Sequence, residues 1–200
     1  WRLDMNLKGT RTAENLLKSF AGESQANRRY TYYSSVARKE GYVQIANIFE
    51  ETAGQESEHA KRFFKFLNED KELQNNALLI TAEYPIALFE TTLENLKAAA
   101  AGEHEESYVD YPKFAEIAKE EGFPAIATAF LKIAEVEARH EKRYRKLIDN
   151  IEKELVFKKN EVVEWKCTNC GYVHTGETAP VKCPACLHEQ AYFEINTENY

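Results

Sequence analysis

The sequence predicts an all-α four-helix bundle followed by a small, metal-bound, β-rich domain. Three observations carry this: helical composition over most of the chain, an internal repeat, and cysteines confined to the end. From Thr12 to about Lys153, Ala, Glu, Lys and Leu dominate, with only Pro85, Pro112 and Pro124 to interrupt them. All four cysteines, Cys167, Cys170, Cys183 and Cys186, fall in the last 34 of 200 residues. A chain of this length can bury a core without disulfides, and two Cys-x-x-Cys pairs without secretory features suggest metal ligation.

The first helix is expected from about Thr12, read as its N-cap, to Glu40, with Leu16, Phe20, Glu23 and Tyr30 on one face. Gly41 breaks it, and a second stripe follows through Ile45, Phe49, Glu56, His59, Phe63 and Phe66. Residues 70–84 read as a crossover long enough to join parallel neighbours. A third helix from about Pro85 carries Phe89, Leu96, Ala99, Glu103 and Glu106. Pro112 and Pro124 start new helical segments, and Gly122 separates them. The last stripe runs through Ile126, Phe130, Ile133, Glu137, His140, Tyr144 and Leu147.

After Phe157 the composition turns to Val, Trp, Tyr, Thr, Gly and Pro, with β-like runs at 162–166 and 191–195. The expected units are therefore 5–156 and 160–197, the second too small to be stable without its metal. Trp1 to Asp4 reads as an extension ahead of a more natural start at Met5.

An offset of 81 maps Gly41, Ile45, Phe49, Ala53, Glu56 and His59 onto Gly122, Ile126, Phe130, Ala134, Glu137 and His140, and Tyr30 onto Tyr111. Glu23 meets Glu103 at 80 instead. One extra residue must be absorbed between Glu103 and Tyr111, and a single π turn would do so.

Acidic residues outnumber basic ones 33 to 26, giving a net charge of -7. That balance argues against nucleic acid or an anionic membrane as partner. No apolar run approaches the roughly 18–20 residues that span a bilayer, so a soluble, cytoplasmic protein is expected.

Five glutamates, Glu23, Glu56, Glu103, Glu106 and Glu137, lie on stripes otherwise made of Leu, Ile, Phe and Ala. Burying ionised carboxylates is costly unless positive charge compensates them. Residues three apart share a helix face, so Glu56 with His59, Glu103 with Glu106, and Glu137 with His140 each present two ligands to one centre. Glu-x-x-His alone is weak, because acidic residues usually mark solvated faces and a lone His is more often satisfied by hydrogen bonds. Here, however, each Glu-x-x-His follows a glutamate on a separate helix by 33 or 34 residues, inside a repeat. That is the ligand plan of a dinuclear carboxylate bundle, and its oxygen-rich donors favour iron or manganese. His104, His174 and His188 lack the context and read as surface or tail residues.

Glu106 has Ala26 as its repeat counterpart, so seven potential ligands serve two metals and one is optional. Tyr30 and Tyr111 are candidates to hydrogen-bond the ligating carboxylates; otherwise they are plain core aromatics. In the tail, twelve residues separate the two Cys-x-x-Cys pairs, which fits a tetrahedral four-sulfur site for either zinc or iron.

These units together resemble rubrerythrin. The residues that carry the resemblance are Phe20-Ala-Gly-Glu23-Ser, Glu56-Ser-Glu-His59, Asn95 through Glu106, Glu137-Ala-Arg-His140, and Trp165-Lys-Cys167 through Cys186. The resemblance implies a ferritin-like bundle with two non-haem irons and a rubredoxin-like Fe(Cys)4 domain. It implies that Glu56 and Glu137 bridge the irons, that Glu23 and Glu103 are terminal ligands and that His140 is a constant one. Glu106 and His59 would exchange at one iron between oxidised and reduced states, with Tyr30 and Tyr111 supporting them. The implied activity is reduction of hydrogen peroxide to water, protecting against oxidative stress. Electrons would pass through the Fe(Cys)4 centre from rubredoxin or an NAD(P)H-dependent reductase. The resemblance further implies a homodimer in which one subunit's tail faces the other's bundle. The rival readings are ferroxidase and iron storage, which leaves the cysteine tail unexplained, and a redox-silent protein with zinc in both sites.

Overall fold

The computed structural model describes residues 6–199. Met5, where the first unit is expected to begin, lies outside them, as does the extension before it. Helix α1 spans Arg11–Lys39. Its cap is Thr10 rather than the expected Thr12: Thr10 has extended backbone, and its hydroxyl accepts the Ala13 N–H at 3.1 Å. Thr12 lies two residues further on, within the first turn, its hydroxyl donating to Glu121 at 2.6 Å.

Gly41, at φ 84°, turns the chain out of α1 through a left-handed conformation that glycine adopts without strain. Helix α2 then runs Val43–Glu69, antiparallel to α1. It ends at Asp70, a buried carboxylate that accepts the backbone N–H groups of Glu72, Leu73 and Leu7, tying the N-terminal segment to this end.

The crossover is longer than expected, because helix α3 is Thr92–Glu105 rather than a helix from Pro85. Asn95 holds Phe89 by both its backbone N–H and its carbonyl, at 2.9 and 3.0 Å, which loops the chain ahead of the Thr91 cap. Phe89 therefore stays 41% exposed instead of joining the bundle face. The crossover runs alongside α1: Tyr84 donates to the Lys18 carbonyl, Tyr33 to that of Ala87, and the Thr92 N–H to Glu40. α3 accordingly starts beside the end of α1 and runs parallel to α2.

α3 continues without a break into a five-residue π turn, Glu106–Asp110, and then α4, Tyr111–Glu120. The turn sits where the offset changes from 80 to 81 and absorbs the extra residue. Gly122, at φ 86°, ends α4, and Pro124 opens α5, Pro124–Glu152.

Two apolar cores fill the bundle. One contains Leu16, Phe63, Tyr111 and Phe130; the other contains Tyr30, Phe49, Leu96 and Tyr144. On all four long helices the charged stripe residues lie between the stretches that feed one core and the other, so a polar layer crosses the middle.

The tail is a three-stranded antiparallel sheet in the order β2-β1-β3, with β1 Lys158–Cys167, β2 Val173–Thr178 and β3 Phe193–Ile195. β2, whose Gly176 and Glu177 interrupt the β-branched Val173, Thr175 and Thr178, pairs antiparallel with β1. Trp165 is fully buried and donates to the Gly176 carbonyl at 3.0 Å. The tail packs on the α1–α2 turn, where Phe157 stacks on Tyr42 at 6.2 Å between centroids. No helix among the described residues is long and apolar enough to cross a membrane.

Candidate metal centres

The polar layer brings Glu23 from α1, Glu56 and His59 from α2, Glu103 from α3, and Glu137 and His140 from α5 into one cluster. Glu23, Glu56, Glu103 and Glu137 are each 0–1% exposed. Helical spacing of three aims both members of each Glu-x-x-His pair inward. Glu137 places Oε1 2.8 Å from His59 Nδ1 and Oε2 2.8 Å from His140 Nδ1. Glu56 does the same, with Oε2 2.9 Å from His59 Nδ1 and Oε1 3.1 Å from His140 Nδ1. Each of these carboxylates thus spans both imidazoles. Glu23 lies on the His59 side at 3.9 Å, and Glu103 on the His140 side at 3.6 Å. Two four-residue groups result, Glu23–Glu56–His59–Glu137 and Glu56–Glu103–Glu137–His140, each with donor atoms mutually within 4.8 Å.

Metal ions fit this arrangement on a specific observation. Glu23 Oε2, Glu56 Oε1, Glu103 Oε2, both oxygens of Glu137 and His140 Nδ1 are buried without a hydrogen-bond partner. Close approach without hydrogen-bond alignment is what ligand atoms converging on a shared point show. Orphaned buried acceptors on this scale are otherwise prohibitively costly.

The electrostatics of the protein alone agree. Burial pushes Glu23 well up, reinforced by Glu106 and Glu137. Burial and the Glu56 charge lift Glu103 to about 8. Burial disfavours charge on the histidines, but Glu137 and Glu56 outweigh it at His59, raising it to about 9. At His140, Glu103 and Glu137 likewise raise it to about 12. Without metal the cluster holds protons in place of cations, and cations must displace them.

Tyr30 donates to Glu103 Oε1 at 2.7 Å and Tyr111 to Glu23 Oε1 at 2.5 Å, so each bonds the glutamate of the other repeat half. Glu106, at the start of the π turn, stands outside both four-residue groups; its Oε1 lies 3.8 Å from where a Gly22 Cβ would sit. Sequence reasoning missed Gln55, which lies 2.9 Å from His140 Nε2 through its Oε1 and so leaves Nδ1 to the cluster. The signal was present: Gln55 has Val136 as its repeat counterpart, a polar residue set against an apolar one. His104, read as a surface residue, is half exposed and pairs with Glu141.

In the tail, Cys167 Sγ is 3.7 Å from Cys186 Sγ, and Cys170 Sγ is 3.6 Å from Cys183 Sγ. A tetrahedron with metal–sulfur bonds of about 2.3 Å has edges of about 3.8 Å, so the four sulfurs fit one ion. The two knuckles match: the Gly171 N–H returns to the Cys167 carbonyl and the Leu187 N–H to that of Cys183, both residues at positive φ. The His188 backbone N–H draws the Cys186 thiol down to about 6, predisposing one sulfur to ionise.

The fold and sites define a ferritin-like bundle with the residues of a diiron centre, joined to a rubredoxin-like four-cysteine domain. Family models agree: the rubrerythrin model matches residues 14–148 and the rubrerythrin rubredoxin-like domain matches 165–194. The chain belongs to the rubrerythrin family. It is 62% identical over 195 residues to rubrerythrin of Clostridium perfringens, covering 98% of this chain and 99% of that protein. Rubrerythrin of Nitratidesulfovibrio vulgaris is 50% identical over 190 residues, covering 95% and 96%. The structure of fully reduced, all-ferrous nigerythrin aligns with a TM-score of 0.61 at 30% identity, covering 95% of this chain and 91% of that one. Family membership makes the protein an oxidoreductase, and the rubredoxin-like domain gives it a part in electron transfer.

Proposed function

We propose that the protein reduces hydrogen peroxide to water, taking electrons through its four-cysteine centre. The observation that carries this reading is the pair Glu56 and Glu137, each facing both imidazoles with separate oxygens. In this reading these two would bridge the metals, Glu23 and Glu103 would be terminal ligands, and His140 would be a constant one. His59 and Glu106 would alternate at the Glu23 side: His59 belongs to the cluster, and Glu106 lies partly buried beside it, outside the two four-residue groups. Two irons held by these residues would supply both electrons which, together with two protons, convert peroxide to two waters without release of a radical. Tyr30 and Tyr111 hold the terminal carboxylates in place, and Gln55 fixes the His140 tautomer.

The units 5–156 and 160–197 then divide the labour between peroxide reduction and electron delivery. The tail touches its own bundle at the α1–α2 turn, about 20 Å along α2 from Glu56 at 1.5 Å per residue. That separation supports a homodimer in which each tail serves the partner's bundle. Rubredoxin or an NAD(P)H-dependent reductase would supply the electrons, in a cytoplasm whose reducing state keeps the cysteines as ligands.

The test is to reduce the iron-loaded protein without oxygen, add peroxide, and follow the visible ferric-thiolate absorption. Stoichiometric reoxidation, faster with peroxide than with dioxygen, supports the proposal. No absorption change, or uptake of many irons per chain as in iron storage, would overturn it.

A further inference from the structure

A cavity of about 470 Å³ lies between α1 and the α3–π-turn wall, beneath Tyr84 of the crossover. Its inner end is formed by Glu106 and by Tyr111, the residue that holds Glu23. Anything passing inward along it meets the departing ligand of the proposed exchange before it meets the metals.

The chain makes this space in two ways. Gly22 and Gly102, equivalent positions one residue ahead of Glu23 and Glu103, line it from opposite walls without side chains. The π turn carries Glu106 and Asp110 along the same wall. A Cβ at Gly22 would contact Tyr84 at 3.6 Å and Glu106 at 3.8 Å, while one at Gly102 would meet nothing within 4 Å.

The lining holds hydrogen-bonding capacity that the protein itself does not use. Ser19, only 4% exposed, has an unpartnered Oγ; Gln25 Oε1 and Arg29 Nε are buried and unpartnered as well. They supply one hydroxyl that both donates and accepts, one acceptor and one donor. The ionised lining is acidic on balance, with Glu83, Glu105 and Asp110 against Lys18 and Arg29. An acidic field repels anions such as superoxide, and unpaired polar atoms offer little to apolar dioxygen. Besides water, the ligand chemistry that remains is a small neutral molecule that donates and accepts at both ends.

We infer that this cavity is a binding site for hydrogen peroxide, in which the unpaired atoms of Ser19, Gln25 and Arg29, spread over about 15 Å of α1, receive the molecule outside Glu106 and select it over dioxygen. The inference rests on the proposed peroxidase reading and names the place where that reaction collects its substrate.

Two measurements test it. The first uses protein loaded with zinc in both sites, which is redox-silent, and titrates peroxide while following the NMR signals of Arg29 Nε–H, the Gln25 side-chain amide and the Gly102 amide. Saturable shifts at millimolar peroxide are expected. Shifts that are absent or rise without saturation mark a solvent-filled vestibule only and overturn the inference. The second compares reoxidation of the reduced iron protein by peroxide and by dioxygen in Gly102→Leu, which fills the cavity, and in Ser19→Ala with Gln25→Leu, which removes its polar contacts. The peroxide-to-dioxygen rate ratio should fall about tenfold in both, with KM for peroxide rising more than kcat falls. Unchanged KM in both, with a normal ferric-thiolate spectrum, overturns the site while leaving the peroxidase reading intact. If the wild-type protein does not consume peroxide at all, that reading falls, and the zinc-protein titration alone decides whether the cavity binds peroxide.

Discussion

The hydroxyl of Tyr30 lies 2.7 Å from Glu103, while its repeat counterpart Tyr111 reaches across to Glu23. The two halves of the chain are thereby laced together at the metal layer, each tyrosine orienting a carboxylate that belongs to the other half. Tyr111→Phe leaves Glu23 buried with an unmet acceptor. The metal-free variant should lose about 1–3 kcal/mol of stability, and iron affinity should fall about tenfold. Thermal unfolding of the metal-free protein and competition with a chelator would measure the two effects.

Glu106→Ala and His59→Ala address the proposed exchange. Each should retain most of its iron, since the remaining cluster residues stay in place, yet slow peroxide turnover by about tenfold or more. Iron content and single-turnover kinetics would check this; full activity in both would eliminate the exchange.

Chelation should unfold the tail and spare the bundle. The tail's buried cluster is small, built chiefly on Trp165, Phe193 and two of the cysteines themselves, so its folding energy is its metal-binding energy. With the metal removed, amide protection across β1–β3 should vanish while the helical circular dichroism changes little. Cys183→Ser should reproduce the effect.

Glu121 closes the start of α1 from the end of α4, accepting from the Arg11 and Thr12 N–H groups and the Thr12 hydroxyl. Its partial burial opposes ionisation, but the Thr12 and Arg11 hydrogen bonds prevail and hold its pKa below the usual 4.5. A depressed carboxylate contributes stability above its unfolded pKa and loses it as pH falls through the folded value. Glu121→Gln should therefore cost about 1 kcal/mol at neutral pH, and the difference from wild type should shrink in acid below 4.5. Urea unfolding at several pH values would measure it.

Much of this was legible in the sequence because duplication leaves an arithmetic trace. The offset that slips from 80 to 81 located the π turn, and charge at apolar stripe positions located the metal layer. What was not legible depends on contacts made only after folding. The loop that delays α3 to Thr92 exists because Asn95 reaches back to Phe89. The displaced N-cap reflects a bond to Glu121, more than a hundred residues away. Strand β2 is short and broken by Gly176 and Glu177, and its extent shows only in its pairing with β1.

The difference between Gln55 and Val136 breaks the inherited two-fold at a telling place. The His140 ring is tethered at its outer nitrogen, whereas among the described residues no hydrogen bond reaches His59 Nε2. One metal position is thus moored and the other hinged, and a repeated sequence yields two unequal seats. A substoichiometric ion should settle on the moored side first, leaving the hinged side as the last filled and the first vacated.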